Sequence, residues 1–274
     1  MVENTYLHNG LKTVALPITA SGTVTRMRPN LEYILKELDP IPARSLLLGL
    51  CEDELPLILD LTDPSAGSFL IVGDDAQSNF NLLYSLLTSS FLVNTAEEVN
   101  LHLISPLADE LVELYKQPAF KISFAPTRPE CEIVVEEMVN LVHRRQSTME
   151  CHPIHVLAVD GLDLMFRSLS PEAIYWFNWL AENGPEMGIW VIAAVESRKT
   201  MKLPESTMDI FPSRILGHIQ SPQIVRDFSG LNRSHLDSLV PGEQFYVHSV
   251  NGSRIVWLLQ SERQMIYRYK GGKK

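Results

Sequence analysis

The segment Gly73-Asp74-Asp75-Ala76-Gln77-Ser78-Asn79-Phe80 follows the apolar run Phe69-Leu70-Ile71-Val72 and leads into Asn81-Leu82-Leu83-Tyr84, a helical stretch. A phosphate-binding loop has this place and length: Gly, four residues, Gly-Lys-Ser/Thr, then a helix. In such a loop the glycines let backbone N–H groups curl around the phosphates. The lysine reaches the terminal phosphates and the hydroxyl holds magnesium. Here Gly73 keeps the first position, while Ser78, Asn79 and Phe80 stand at the second glycine, the lysine and the hydroxyl. Asp74 and Asp75 add two negative charges where a triphosphate would lie. One like-charge pair about 6 Å apart, at an effective dielectric of about 20, is unfavourable by about 2 to 3 kcal/mol. Losing the lysine removes an interaction worth roughly 1.5 to 3 kcal/mol. Both effects act against nucleotide.

A second stretch, His155-Val156-Leu157-Ala158-Val159, ends in Asp160-Gly161-Leu162-Asp163. An apolar strand ending in Asp supports magnesium in nucleotide hydrolases, and the next acid polarises the attacking water. Asp160 is present, Gly161 stands at the acid, and Asp163 lies three residues on. An Asp after a buried strand is also a common helix cap. Cys151, His152 and His155 make a metal cluster on paper only, because the strand that begins at Ile154 makes them ordinary neighbours, and no metal is expected.

The elements that must position these residues can be read from periodicity. From residue 46 onward, apolar strands alternate with helices. Strands are predicted at 46–49, 57–61, 69–72, 101–104, 155–159, 190–195 and 214–219, with a closing hairpin of 244–248 and 254–259 turned by Asn251-Gly252. Helices are predicted at 79–91, 130–145 and 172–183. Leu31, Ile34, Leu35 and Leu38 mark a shorter helix that stops at Asp39-Pro40. The first thirty residues read as an extended arm or an edge hairpin. Several strands are continuous Val/Ile/Leu runs, as in parallel sheets covered on both faces. The pattern predicts an α/β fold with a mostly parallel, doubly wound sheet and helices on both faces.

The chain has 274 residues, 45% of them hydrophobic, a composition that suits one large globular domain and excludes disorder or a coiled coil. No apolar run reaches the roughly 18 residues of a membrane span. The three cysteines suggest reduced thiols, so the sequence predicts a cytoplasmic protein. Its 23 basic and 33 acidic side chains give a net charge of −10, unsuited to non-specific DNA binding. Only the segment after residue 260, with Arg263, Arg268, Lys270, Lys273 and Lys274, is basic enough for nucleic acid. Tyr175, Trp176, Phe177 and Trp179 crowd one helix and cannot all face one core, so one side is a candidate interface.

With their context, these pieces resemble the FtsK/SpoIIIE ATPase domains, and most of all the type VII secretion (EccC/EssC) branch. Leu47-Leu48-Gly49-Leu50, Pro56 through Leu61 and Phe69 through Asp75 are similar to that family's entry strands. Ile104-Ser105-Pro106 is similar to its second-strand ending, where Asp usually precedes the proline. Val159 to Leu164 resembles the Val-Asp-Asp-Tyr-Asp-Leu run of the secretion branch. Glu186 to Ala194 resembles the step into the sensor strand, with Val195-Glu196 where the DNA-translocase branch has Thr-Gln. Phe211 to Ile215 and Leu239 to Phe245 continue the order.

The resemblance covers about residues 45–260, flanked by an arm and short helix (1–44) and a basic tail (261–274). It implies a RecA-like P-loop NTPase fold and protein partners, either homologous ATPase domains or further copies of the chain. It also makes Arg214 a candidate arginine for a neighbouring subunit. Asn79, Phe80, Gly161 and Glu196 stand where the family has its lysine, magnesium hydroxyl, catalytic acid and sensor glutamine. The reading is therefore a pseudo-ATPase with no catalytic residue and no cofactor expected. ATP and magnesium enter only under two alternatives: a DNA translocase completed by a neighbour, or a module that senses nucleotide without hydrolysis.

Overall fold

A computed structural model of the protein describes residues 4–6, 11–14, 30–38, 40–105, 122–125, 127–229, 236–249 and 252–260. Most of the N-terminal arm, the helix stop at Asp39, Pro106, the turn residue Asn251 and the basic tail 261–274 lie outside the described residues.

The chain runs β1 (Asn4–Tyr6), β2 (Leu11–Val14), α1 (Leu31–Glu37), β3 (Ser45–Cys51), β4 (Pro56–Asp60), β5 (Phe69–Gly73) and α2 (Ala76–Val93). It continues with β6 (Val99–Ile104), β7 (Ile122–Ala125), α3 (Arg128–Thr148), β8 (Ile154–Asp160), α4 (Leu162–Ser168) and α5 (Pro171–Asn183). It closes with β9 (Ile189–Glu196), α6 (Glu205–Asp209), β10 (Ser213–Leu216), α7 (Pro222–Ser229), β11 (Gln244–Ser249) and β12 (Gly252–Trp257). Among the described residues these strands form one twelve-stranded sheet, β1-β2-β4-β3-β12-β11-β10-β5-β9-β8-β6-β7. The half from β10 to β7 is parallel throughout, and the other half is antiparallel.

Two faces of the sheet are packed because its central strands β5 and β9 are apolar at nearly every position. In β5 and β9, odd and even residues are buried alike, so the sheet needs cover on both sides. Leu82, Leu83, Leu86 and Leu87 of α2 close one face over Phe69, Ile71 and Trp190. The other face is closed by α3, α4 and α5 through Val135, Met138, Phe166, Phe177 and Leu180. Burying one such side chain stabilises the fold by about 1.5 to 3 kcal/mol. Local signals start the helices. Asp75 caps α2, Thr127 and Glu130 form a capping box on α3, and Ser170-Pro171 opens α5.

One expectation needs correction. From the sequence, the strands ending at Val72 and Val159 are expected side by side at the centre of the sheet, because both are continuous apolar runs that end in a functional-looking loop. Both are interior, but β9 lies between them, pairing β5 on one side and β8 on the other. All three are continuous apolar runs. Such a run reports burial on both faces and carries no information about which buried strand stands next to which.

Candidate functional site

The loop ends of β5, β8, β9 and β10 meet at one edge of the parallel half, where ligands of open α/β sheets usually bind. Only Asp74 and Asp75 separate β5 from α2, so Ala76, Gln77, Ser78, Asn79 and Phe80 are already helical. A phosphate loop leaves successive N–H groups open toward the anion. Here the N–H groups of Ser78 and Asn79 are met by the chain itself. The Asp75 carboxylate accepts from Ser78 N at 2.9 Å and from the Ser78 hydroxyl, and Asp75 O accepts from Asn79 N at 3.1 Å.

Asp74 ties three strand ends together. Its N–H donates to His218 O at 3.1 Å, while its carboxylate accepts from Gln220 N at 2.8 Å and from the Ser197 hydroxyl. Asn79, at the lysine position, is 2% exposed. Its Nδ2 donates to Val195 O at 3.0 Å and to Gly73 O at 3.3 Å, stitching α2 to β9 and β5. A Cβ on Gly73 would lie 2.6 Å from Asn79 Oδ1, so the close approach of helix and strand requires glycine there. Phe80 packs on the apolar cluster beneath α2, with its ring centroid 6.1 Å from that of Tyr84. The turn at Gly242, where φ is +71°, covers Ser78.

Asn79, Asp160, Gly161, Asp163 and Glu196 are brought together around a cleft of about 150 Å³, with Ala76 and Lys199 also on its wall. Small-ligand sites typically span about 300 to 1,000 Å³. Asp160 accepts from the Ser105 hydroxyl at 2.9 Å. Burial pushes its carboxyl above the usual range, while the Ser105 bond and the Lys199 charge pull the other way. Asp163 pairs with Arg167 at 2.9 Å, and Glu196 pairs with Lys199. That bond to Glu196 raises the Lys199 ammonium pKa. Gly161 has φ +78° and begins α4, and a Cβ there would meet Leu164 Cδ1 at 3.1 Å.

Arg214 is half-buried on β10, with its guanidinium donating to Met208 O at 3.3 Å, and it does not line this cleft. On α5, Phe177 is fully buried and Tyr175 is 60% exposed. Trp176 and Trp179 lie between these extremes and pack edge-on to each other and against His143. Among the described residues, no group of three or more His, Cys, Asp or Glu side chains is placed to hold a metal.

Sequence reasoning missed Lys199, Ser197, Gln220 and Gly242. Lys199 had a local signal, the i, i+3 spacing from Glu196. Ser197 and Gln220 lie 123 and 146 residues from Asp74, and nothing local announces those bonds.

The sheet order, the two covered faces and the converging strand ends fit an α/β RecA-like fold. No family model and no curated protein matches the sequence. Solved structures do match. The Geobacillus thermodenitrificans EssC structure holding ATPases 2 and 3 aligns with a TM-score of 0.70 at 13% identity, over 88% of this chain and 46% of that one. Thermomonospora curvata EccC (ATPases 2 and 3), in complex with a signal sequence peptide, gives 0.66 at 15%, over 88% and 44%. The pCW3 conjugation coupling protein TcpA, in its monomer form with ATPγS, gives 0.68 at 11%, over 91% and 77%. The chain thus shares the fold of FtsK/SpoIIIE-like ATPase domains and spans less than half of the EccC and EssC chains it matches. Among the described residues, no helix is long and apolar enough to cross a membrane.

Proposed function

We propose that this chain is a pseudo-ATPase domain that serves as a structural or partner-binding unit of a secretion- or translocase-type assembly. One observation carries the reading: the anion-binding end of α2 is occupied by the chain's own Asp75 carboxylate, with Asn79 buried beneath it in place of a lysine. Phosphate entering there would have to displace an intramolecular anion and face Asp74 as well. Phe80 offers magnesium no oxygen, and Gly161 offers water no base. Each lost stabiliser of a transition state typically costs about 2.7 to 4 kcal/mol.

The EccC and EssC structures that share the fold are each described as holding two ATPase domains, and this chain spans less than half of either. That proportion supports a domain working beside homologous domains or further copies of itself. Calorimetric titration of the full chain with magnesium-ATP tests the reading. The expected result is no saturable heat below about 1 mM, equivalent to a binding free energy weaker than about −4.1 kcal/mol. Saturable, magnesium-dependent binding at micromolar ATP overturns it.

A further inference from the structure

On the sheet face opposite α2, the packed helices α3 and α5 leave a groove of about 390 Å³ between them. Glu132, Glu136, Asn140 and His143 project along α3 on successive turns, while Glu172 and Trp176 face them from α5. The groove is therefore acidic with an aromatic wall, and neither Lys nor Arg lines it. Glu132 is engaged with Ser170 N at 2.8 Å. Glu136 and Glu172 are exposed and have no ion-pair partner among the described residues. Tyr175 stands beside the groove at 60% exposure, its ring centroid 5.1 Å from that of Trp176, and Ile133 on α3 is 52% exposed. Carboxylates around a half-buried indole are the chemistry that takes a guanidinium or ammonium, through charge-assisted hydrogen bonds and the face of the ring.

The same sequence contains a segment of matching chemistry. Residues 261–274 hold five basic side chains against one acid, so the segment is at +4 while the rest of the chain is at −14, for a total of −10. Its centre, Ile266-Tyr267-Arg268-Tyr269-Lys270, alternates cations with aromatic rings. Tyr, Trp and Arg are the residues that carry most binding energy at protein interfaces.

We propose that the α3–α5 groove binds the basic segment Arg263–Lys274 of a second copy of this chain, with Arg268 and Lys270 between Trp176 and the carboxylates of Glu136 and Glu172. The proposal stands apart from the nucleotide reading, because no groove residue lines the cleft at the strand ends.

Sedimentation velocity of the full chain over a concentration series tests it. Association is expected to weaken by at least about tenfold between about 0.1 and 1 M salt, as the screening length falls from about 10 Å to 3 Å. Glu136→Lys with Glu172→Lys should abolish it, and so should Arg268→Glu with Lys270→Glu. The chain carrying all four substitutions should associate again, which separates a direct pairing from a folding defect. A monomer at every concentration overturns the proposal. So does association indifferent to the groove substitutions, or the absence of rescue. Tail substitutions that abolish retention of duplex DNA but leave self-association intact also overturn it.

Discussion

The strand-end cleft and the α3–α5 groove are both concave and both lined by carboxylates, yet they use those carboxylates in opposite ways. At the strand ends the acids are engaged inside the molecule. Asp75 caps its own helix, Asp74 binds two neighbouring loops, Asp163 pairs with Arg167 and Glu196 with Lys199. In the groove, Glu136 and Glu172 face solvent with no ion-pair partner among the described residues. A charge whose partners are internal stabilises the fold, and removing either partner leaves the other unmet. A charge left in water adds little to stability and remains available to another surface. The carboxylates at the strand ends thus hold neighbouring elements together, and those of Glu136 and Glu172 in the groove are left for the contact proposed above.

The largest predicted effect falls at the strand ends. Asn79→Lys restores the residue a phosphate loop needs, but it places a charge in a site only 2% exposed and gives up the Val195 and Gly73 bonds. An uncompensated buried charge costs about 3 to 5 kcal/mol. Urea unfolding should show a loss of that order, and calorimetry should show no gain in ATP binding. Adding Gly161→Glu should not create activity, because Phe80 and both aspartates remain. Unchanged stability together with new ATP affinity would mean that the end is open and the contrast with the groove is wrong.

How much of this was legible in the sequence follows from the range of each interaction. β5, β8 and β9 could be read because continuous apolar runs report burial on two faces. Their order could not, since β9 resembles its neighbours in every local respect. The substitutions at Ser78, Asn79 and Phe80 were visible against the phosphate-loop pattern. The shortening of that loop to two residues was not, because helix initiation at Ala76 depends on Asp75 acting as a cap instead of a loop residue. The strand β7 was missed because residues 122–125 give only four positions of pattern. The groove was invisible for a plainer reason. Glu136 and Glu172 lie on different helices, 36 residues apart in sequence, and only the packing of α3 on α5 brings them together. The aromatic side of α5 was legible as a conflict, since four rings cannot share one core, and the structure resolves it by burying Phe177 and exposing Tyr175.

Acid should produce the next largest effect, in the sheet beneath α3. His102 on β6 and His155 on β8 stack at 5.2 Å with Nε2 and Nδ1 2.9 Å apart. Burial lowers the His102 pKa to about 4. Burial, the His102 charge and Arg145 lower that of His155 to about 3. The unfolded chain takes up protons near pH 6.5 and the folded chain resists, so stability is full above pH 6.5 and falls as the pH drops toward 4. At roughly 1.4 kcal/mol per pKa unit, His102 alone accounts for about 3 kcal/mol. Urea midpoints at pH 7.5, 6 and 5 should fall in that order, and His102→Gln should flatten the slope. Self-association through the groove, read at pH 7.5, should be unaffected by that substitution. A shared response would join two regions held here to be separate.

Asp74→Ala should follow, at about 2 kcal/mol, because it strands the Gln220 N–H and the Ser197 hydroxyl. Hydrogen exchange should show the loop ends of β9 and β10 opening while α3 and α5 keep their protection.

The smallest expected change is the sharpest test of the contrast. Glu136→Gln and Tyr175→Ser remove a carboxylate and a ring from the groove and its rim. Both residues are exposed, and Glu136 has no ion-pair partner among the described residues. Surface substitutions without such ties change stability by no more than about 0.5 kcal/mol. The urea midpoints of the two variants should therefore match the parent within that margin, while each weakens self-association. Loss of a rim charge should act mainly on the association rate and its salt dependence, and loss of the ring on the dissociation rate. If instead either variant destabilises the monomer by 1 kcal/mol or more, the groove also holds the fold together, and the division between an engaged end and an available one fails.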